Sequence, residues 1–181
     1  KPGKLIDEET VLTLDSPPPF VTRGGEKLQG AMDKWSFDLS GKVCADIGAS
    51  HGGFTDCMLQ HNAAKVYAVD VGNGQLDWKL RNDERVVVMD KFNARYLEED
   101  SFAEKPSFAS VDVSFISLTK IMPALVGAMT KNAELITLIK PQFEAGKDKI
   151  GKGGVVRDPE VHEAVKEEMI SFGTETLDLT C

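Results

Sequence analysis

The sequence predicts an open α/β domain: a doubly wound, mostly parallel sheet with helices on both faces. Three observations carry that prediction. Short apolar runs alternate with segments of helical spacing along most of the chain. The runs are nearly continuous in Val, Ile, Leu and Ala, as expected of strands covered on both sides. The first run ends in a glycine-rich turn, "DIGASHGGFTD" (Asp46 to Asp56), placed where a strand hands over to a helix.

Each element has its own signal. "TRGGEKLQGAMDKW" sets Leu28, Ala31, Met32 and Trp35 at helical spacing. "KVCADI" is a strand, and "FTDCMLQ" begins the helix after it. "KVYAVDV" is a second strand and "QLDWKLR" a short helix. "RVVVMD" and "SFASVDVSF" are the third and fourth strands. "SLTKIMPALVGAM" is a helix that Ser117 can cap, and "ELITLIK" is the fifth strand. "RDPEVHEAVKEEMISF" closes the series, with Asp158 as cap and Pro159 at the first helical position. Its apolar stripe is Val161, Ala164, Val165, Met169 and Phe172, beside which His162 reads as a structural histidine. "PQFEAGKDKIGKGGVVRDP" is too long for a plain connector and is a candidate functional loop.

At 181 residues the chain is long enough for one domain with a small appendage. Residues 1–19, with "VLTLD" and then "SPPP", read as the tail of an upstream domain plus a stiff linker; residues 20–181 form the main domain. Three cysteines (Cys44, Cys57 and Cys181) make no disulfide framework and point to a reducing, cytoplasmic setting. No run approaches the roughly 18 apolar residues of a membrane span. No metal ligand set is expected. The net charge of −8 disfavours a nonspecific nucleic-acid binder, although a local basic patch can coexist with an acidic body.

In such sheets ligands bind beyond the carboxyl ends of the strands. Gly48 allows the sharp turn, and Gly52 and Gly53 allow close approach of ligand or helix. Asp70 ends the second strand about 20 residues on, where an acid takes a ribose hydroxyl. The spacing is D-x-G-x-x-x-G-G, without the middle glycine of a dinucleotide fingerprint. An acid at Asp46 repels pyrophosphate and suits a cationic ligand, which favours S-adenosylmethionine over NAD(P). A purely structural turn is the competing reading. Ser50 and His51, with no third orienting group, read as turn residues rather than a catalytic pair.

Two strand ends carry groups for chemistry: Asp112 in "VDVSF" and Lys140 in "LIKPQFE". Lys27 joins them if the first helix folds over the same edge. A Lys–Asp–Lys cluster suits activation of a ribose 2′-hydroxyl, because ammonium groups stabilise developing alkoxide charge and the carboxylate positions them.

These segments, together with "NARYL" and "GKGGVVRDPEVH", resemble the TlyA family of ribosomal-RNA 2′-O-methyltransferases, also labelled hemolysin A and related to the FtsJ-type enzymes. The resemblance runs from about Phe20 to about Phe172 in seven ordered segments. It implies a Rossmann-like methyltransferase fold, S-adenosylmethionine as cofactor, and ribosomal RNA or a ribosomal subunit as partner. It implies an S4-like RNA-binding domain upstream of residue 20. It also implies a Lys–Asp–Lys–Glu catalytic set, with Lys27, Asp112 and Lys140 as the first three. The Glu is expected beyond Cys181, with the domain's last strands; Glu144 and Glu163 fall in the wrong segments. Cofactor contacts map to Asp46, Gly48, Ser50, Gly52, Gly53, Phe54 and Asp70, with Asn93 at the adenine edge and Asp90 beside it. His51 departs from the Thr or Ser expected there. Arg23, Lys27, Lys147, Lys149, Lys152 and Arg157 are candidates for RNA phosphates, and Phe143 for base stacking. The alternatives are a non-catalytic RNA- or ribosome-binding protein, a hemolysin, and an NAD(P)-linked oxidoreductase.

Overall fold

The computed structural model of the chain describes Asp7 and residues 17–181. The expected upstream strand "VLTLD" lies outside the described residues. Pro17 to Pro19 are exposed, and the Pro19 carbonyl accepts a hydrogen bond from Gln60 Nε2 at 2.8 Å.

Five parallel strands form one sheet: β1 (Val43–Ile47), β2 (Lys65–Val69), β3 (Val86–Met89), β4 (Phe108–Val111) and β5 (Glu134–Thr137), in spatial order β3-β2-β1-β4-β5. Strand order therefore reverses at β1, which pairs with β2 on one side and β4 on the other. The crevice at the carboxyl ends of β1 and β4 is the switch point where such sheets bind ligands.

Side-chain alternation along β1 divides the core. Val43, Ala45 and Ile47 pack in one cluster with α4 (Met122–Ala128) and α6 (Pro159–Ser171). Cys44 packs in the other, with α1 (Gly24–Trp35), α2 (Gly53–Gln60) and α3 (Trp78–Arg81). Both faces are thus covered, which is why the strands read as unbroken apolar runs. Burial lifts the Cys44 and Cys57 thiols to about 12, so both are packing residues rather than nucleophiles.

The helix termini follow their chemistry. Asp158 accepts from the Glu160 amide at 3.0 Å, with Pro159 in the first turn of α6. Ser117 caps a 3-10 turn, Leu118–Lys120, rather than α4 directly. The long segment after β5 is structured as α5 (Pro141–Glu144) and a 3-10 turn at Lys147–Lys149. One expectation is corrected: β4 ends at Val111, so Asp112 to Phe115 leave the sheet as a loop over its carboxyl edge. Among the described residues no helix is long and apolar enough to cross a membrane.

Candidate active site

The turn after β1 is built on Gly48, whose φ is +86°. A Cβ there would meet the Asp112 carbonyl oxygen at 2.6 Å, so glycine lets the ends of β1 and β4 come together. Its amide and that of Ala49 both donate to the Val69 carbonyl, at 2.9 and 3.1 Å. Asp70, just past β2, then holds the loops on either side of it. Oδ2 accepts from the Ser50 amide at 2.8 Å and Oδ1 from the Gly72 amide at 2.7 Å. Each oxygen keeps a lone pair for a ligand.

These groups line a cavity of about 500 Å³, within the range of small-ligand pockets. Its walls include Gly48, Ser50, Asp70, Asn93 and Asp112, with Phe115 and Ile121 as apolar cover. Two carboxylates and no Lys or Arg line it. That donor set fits a ribose-bearing cationic ligand and opposes a pyrophosphate. The Asn93 side-chain oxygen caps the next turn, accepting from the Arg95 amide at 3.1 Å, so its amide nitrogen is the atom left for a ligand.

A second cavity of about 370 Å³ shares Gly48, Ser50, Asp112 and Ser114 with the first. Lys27, Lys140, His51, Gly53 and Phe54 are among its other walls. Asp112 forms ion pairs with both lysines: Lys27 Nζ is 3.2 Å from Oδ2, and Lys140 Nζ is 2.5 Å from Oδ1. Lys140 also donates to the Val113 carbonyl at 2.8 Å and to Ser114 Oγ at 3.1 Å, which fixes its head. Lys140 and Asp112 are each 18% exposed at the side chain and Lys27 53%, so the inner pair is the desolvated one. Lys27 gets there by packing. Leu28 and Met32 are buried against α2, at about 2 kcal/mol each. Gly53 and Gly24 let α1 touch the start of α2: a Cβ on Gly53 would meet the Gly25 amide nitrogen at 2.8 Å.

A sequence model of FtsJ-like methyltransferases matches residues 20–178. The chain belongs to the FtsJ-like methyltransferase family. A Bacillus subtilis protein described as a candidate rRNA methyltransferase, YqxC, is 50% identical over 95% of this chain and 62% of its own length. The 16S/23S rRNA (cytidine-2′-O)-methyltransferase TlyA of Mycobacterium tuberculosis is 46% identical over 89% of this chain and 61% of its own. The solved structure of a candidate hemolysin from Streptococcus thermophilus superposes with a TM-score of 0.85 at 48% identity, covering 88% of this chain and 58% of that one. The chain thus spans less than two thirds of the length of each.

Within this FtsJ-like domain, three of the expected cofactor residues line neither of the two cavities. Asp46 is fully buried and lines neither cavity; its carboxylate accepts from Thr55 Oγ1 at 2.7 Å and Ser110 Oγ at 3.2 Å. It lies within β1 and faces α2, so it braces the turn from behind. Asp90 pairs with Arg81 at 2.7 Å and accepts from the Gly74 amide, and the Arg81 guanidinium holds its carboxyl below the ordinary range. Gly52, with φ of +94°, makes room for Leu80 and Leu76, which a Cβ would meet at 2.3 and 2.7 Å, and lines neither cavity. Gly53 and Phe54 line the lysine cavity instead of the larger one.

Of the RNA candidates, Arg23 precedes α1, and Lys147, Lys149, Lys152 and Arg157 are all exposed in the segment after β5. The sequence reading missed Ser114 and Phe115. Phe115 is 92% exposed, has a φ of +63°, and its ring centroid is 5.2 Å from that of Phe143. Lys140 Nζ lies 5.8 Å from the Phe143 ring centroid. His51 contacts Ser50 Oγ through Nδ1 at 3.2 Å. Glu144 accepts from the Leu118 amide at 2.9 Å, a structural bond.

Proposed function

We propose that this domain uses S-adenosylmethionine to methylate a ribose 2′-hydroxyl of ribosomal RNA, working in the cytoplasm. The observation that carries the reading is the common wall: a carboxylate-lined, cation-free cavity abuts a cavity holding Lys27, Asp112 and Lys140. When bound, the cofactor supplies the methyl group. Asp70 would take its ribose hydroxyls, Asn93 its adenine edge, and the Gly48–Ser50 backbone its amino-acid end. Lys140 and Lys27 stabilise the negative charge that grows on the substrate 2′-oxygen as its proton passes to water, and Asp112 holds both ammonium groups in place. Alignment supplies the rest of the rate enhancement. The exposed Phe115–Phe143 pair offers an unstacked base a face, with cations around it for phosphates. The TlyA relative's described activity, on rRNA cytidine 2′-oxygens, supports the same reading.

The test is calorimetric titration with S-adenosylmethionine and NADH, followed by transfer of labelled methyl from S-adenosylmethionine to ribosomal subunits lacking 2′-O-methyl groups. Saturable S-adenosylmethionine binding and label on a ribose 2′-oxygen are expected. NADH binding would replace the methyltransferase reading with an oxidoreductase. Cofactor binding without any transfer would leave an RNA- or ribosome-binding protein.

A further inference from the structure

A third cavity lies on the far side of the β5–α5 connection. Lys140 reaches into the catalytic cavity, whereas Ile139, Pro141 and Gln142 line a space of about 410 Å³ that the proposed chemistry does not use. Its opposite wall is Val155, Val156 and His162.

This wall is built, not incidental. His162 Nε2 lies 2.8 Å from the Val156 carbonyl oxygen. A carbonyl only accepts, so Nε2 carries the hydrogen of this bond. That bond ties the loop to α6. The Gly151 amide donates to the Val155 carbonyl and the Gly154 amide to the Gly151 carbonyl, both at 3.1 Å, closing the loop on itself. Val156 is buried beneath it.

The lining chemistry is that of a base site. Ile139, Pro141, Val155 and Val156 give apolar surface for a ring to lie on, and Gln142 adds an amide that both donates and accepts. The volume is near the lower end of small-ligand pockets, roughly 300–1,000 Å³, suited to one ring system rather than a folded segment. The charges choose the occupant. The cavity wall runs between exposed Lys152 and Arg157, with Lys147 and Lys149 just upstream. Lys166, ion-paired with Glu163, adds a cation to the lining itself.

We infer that this cavity takes an unstacked base of an RNA nucleotide flanking the methylated one. The inference rests on the RNA reading above and adds a second contact point to it. It makes the enzyme read the substrate strand beyond its target, using Gln142 and His162 on the base edge.

The test uses this chain with two fluorescein-labelled single strands of about twelve nucleotides, a span that single-strand binders cover. One carries bases and the other is the abasic ribose-phosphate of equal charge. The variants are Val155→Trp, which fills the cavity from a 45% exposed position, and Gln142→Ala. Wild type should bind the base-bearing strand about ten-fold more tightly than the abasic one. Each variant should narrow that ratio several-fold, leave abasic binding unchanged, and raise KM for the methylated RNA without lowering kcat. An unchanged ratio in both variants, with RNA still bound and methylated, overturns the base site and leaves the methyltransferase reading intact. If neither strand binds and no RNA is methylated, the RNA reading falls and takes this site with it.

Discussion

Lys140 is the residue on which the proposed chemistry turns, because it alone combines low exposure with fixed partners on Asp112, Val113 and Ser114. Lys140→Ala should lower kcat by about 10²–10³-fold, the usual loss when one preorganised charge stabiliser is removed. S-adenosylmethionine affinity should stay within a few-fold, since Lys140 does not line the larger cavity. Calorimetry beside single-turnover methyl transfer separates the two, and a matched loss of cofactor binding would contradict the assignment. Asp46 makes a different prediction. Burial, partly opposed by the Thr55 and Ser110 hydroxyls, pushes its carboxyl from 3.8 up to about 6. Between those values the folded state binds more protons than the unfolded one, so stability falls as pH rises from about 4 to about 6. Two pH units correspond to about 3 kcal/mol. Asp46→Asn, which keeps an acceptor for Thr55, should flatten that slope. Urea unfolding of both proteins at pH 4.5 and 7 checks it, and parallel slopes would mean that Asp46 does not titrate between those states.

At the scale of elements, the site depends on two glycines that let secondary structures touch. A methyl on Gly53 would press on the Gly25 backbone and on Thr22 Oγ1, 2.4 Å away, separating α1 from α2. Overpacking of this kind costs about 1–3 kcal/mol. For a domain of this size that is a drop in melting temperature of roughly 2–4 °C per kcal/mol. Because Lys27 rides on α1, Gly53→Ala should also reduce turnover more than cofactor affinity. Equal losses in both would mean that the turn itself had collapsed. The same elements explain what the sequence disclosed. Apolar runs and caps located all five strands, and counting to the strand ends brought Asp112 and Lys140 to one edge. The assignment of Lys27 needed α1 to fold over that edge, which Leu28 and Met32 achieve by burial. The acid of the motif, Asp46, sits inside β1, where alternation turns it toward α2, so its place behind the turn rather than in a cavity wall is not readable from the spacing. Asp90 and Asn93 are three residues apart on either side of Lys91, whose φ is +57°, and only Asn93 lines the cavity, a difference that spacing alone does not disclose. Phe115 was illegible because no proline or glycine marks the end of β4 at Val111.

The whole molecule carries a net charge of −8, yet its proposed substrate is a polyanion. The charge distribution reconciles the two. Exposed Arg23, Lys27, Lys147, Lys149, Lys152 and Arg157 belong to segments at the carboxyl edge of the sheet. Exposed Glu160, Glu163, Glu167 and Glu168 are carried by α6, so part of the negative total sits on that one helix. At physiological salt each field reaches only about 8 Å, so RNA near the site feels the local cations more than the total. This makes RNA binding salt-dependent in a countable way. Each phosphate neutralised on a single strand should contribute about −0.7 to the slope of log K against log salt. Replacing Lys147, Lys149 and Lys152 together by Ala should make that slope shallower by about 2 and weaken binding to all sequences alike. Cofactor affinity should not change, because none of the three lines the larger cavity. Fluorescence anisotropy over a salt series measures the slope directly. An unchanged slope would remove these lysines from the RNA path, and the strand would then have to leave the catalytic cavity on the side of Arg23 and α1.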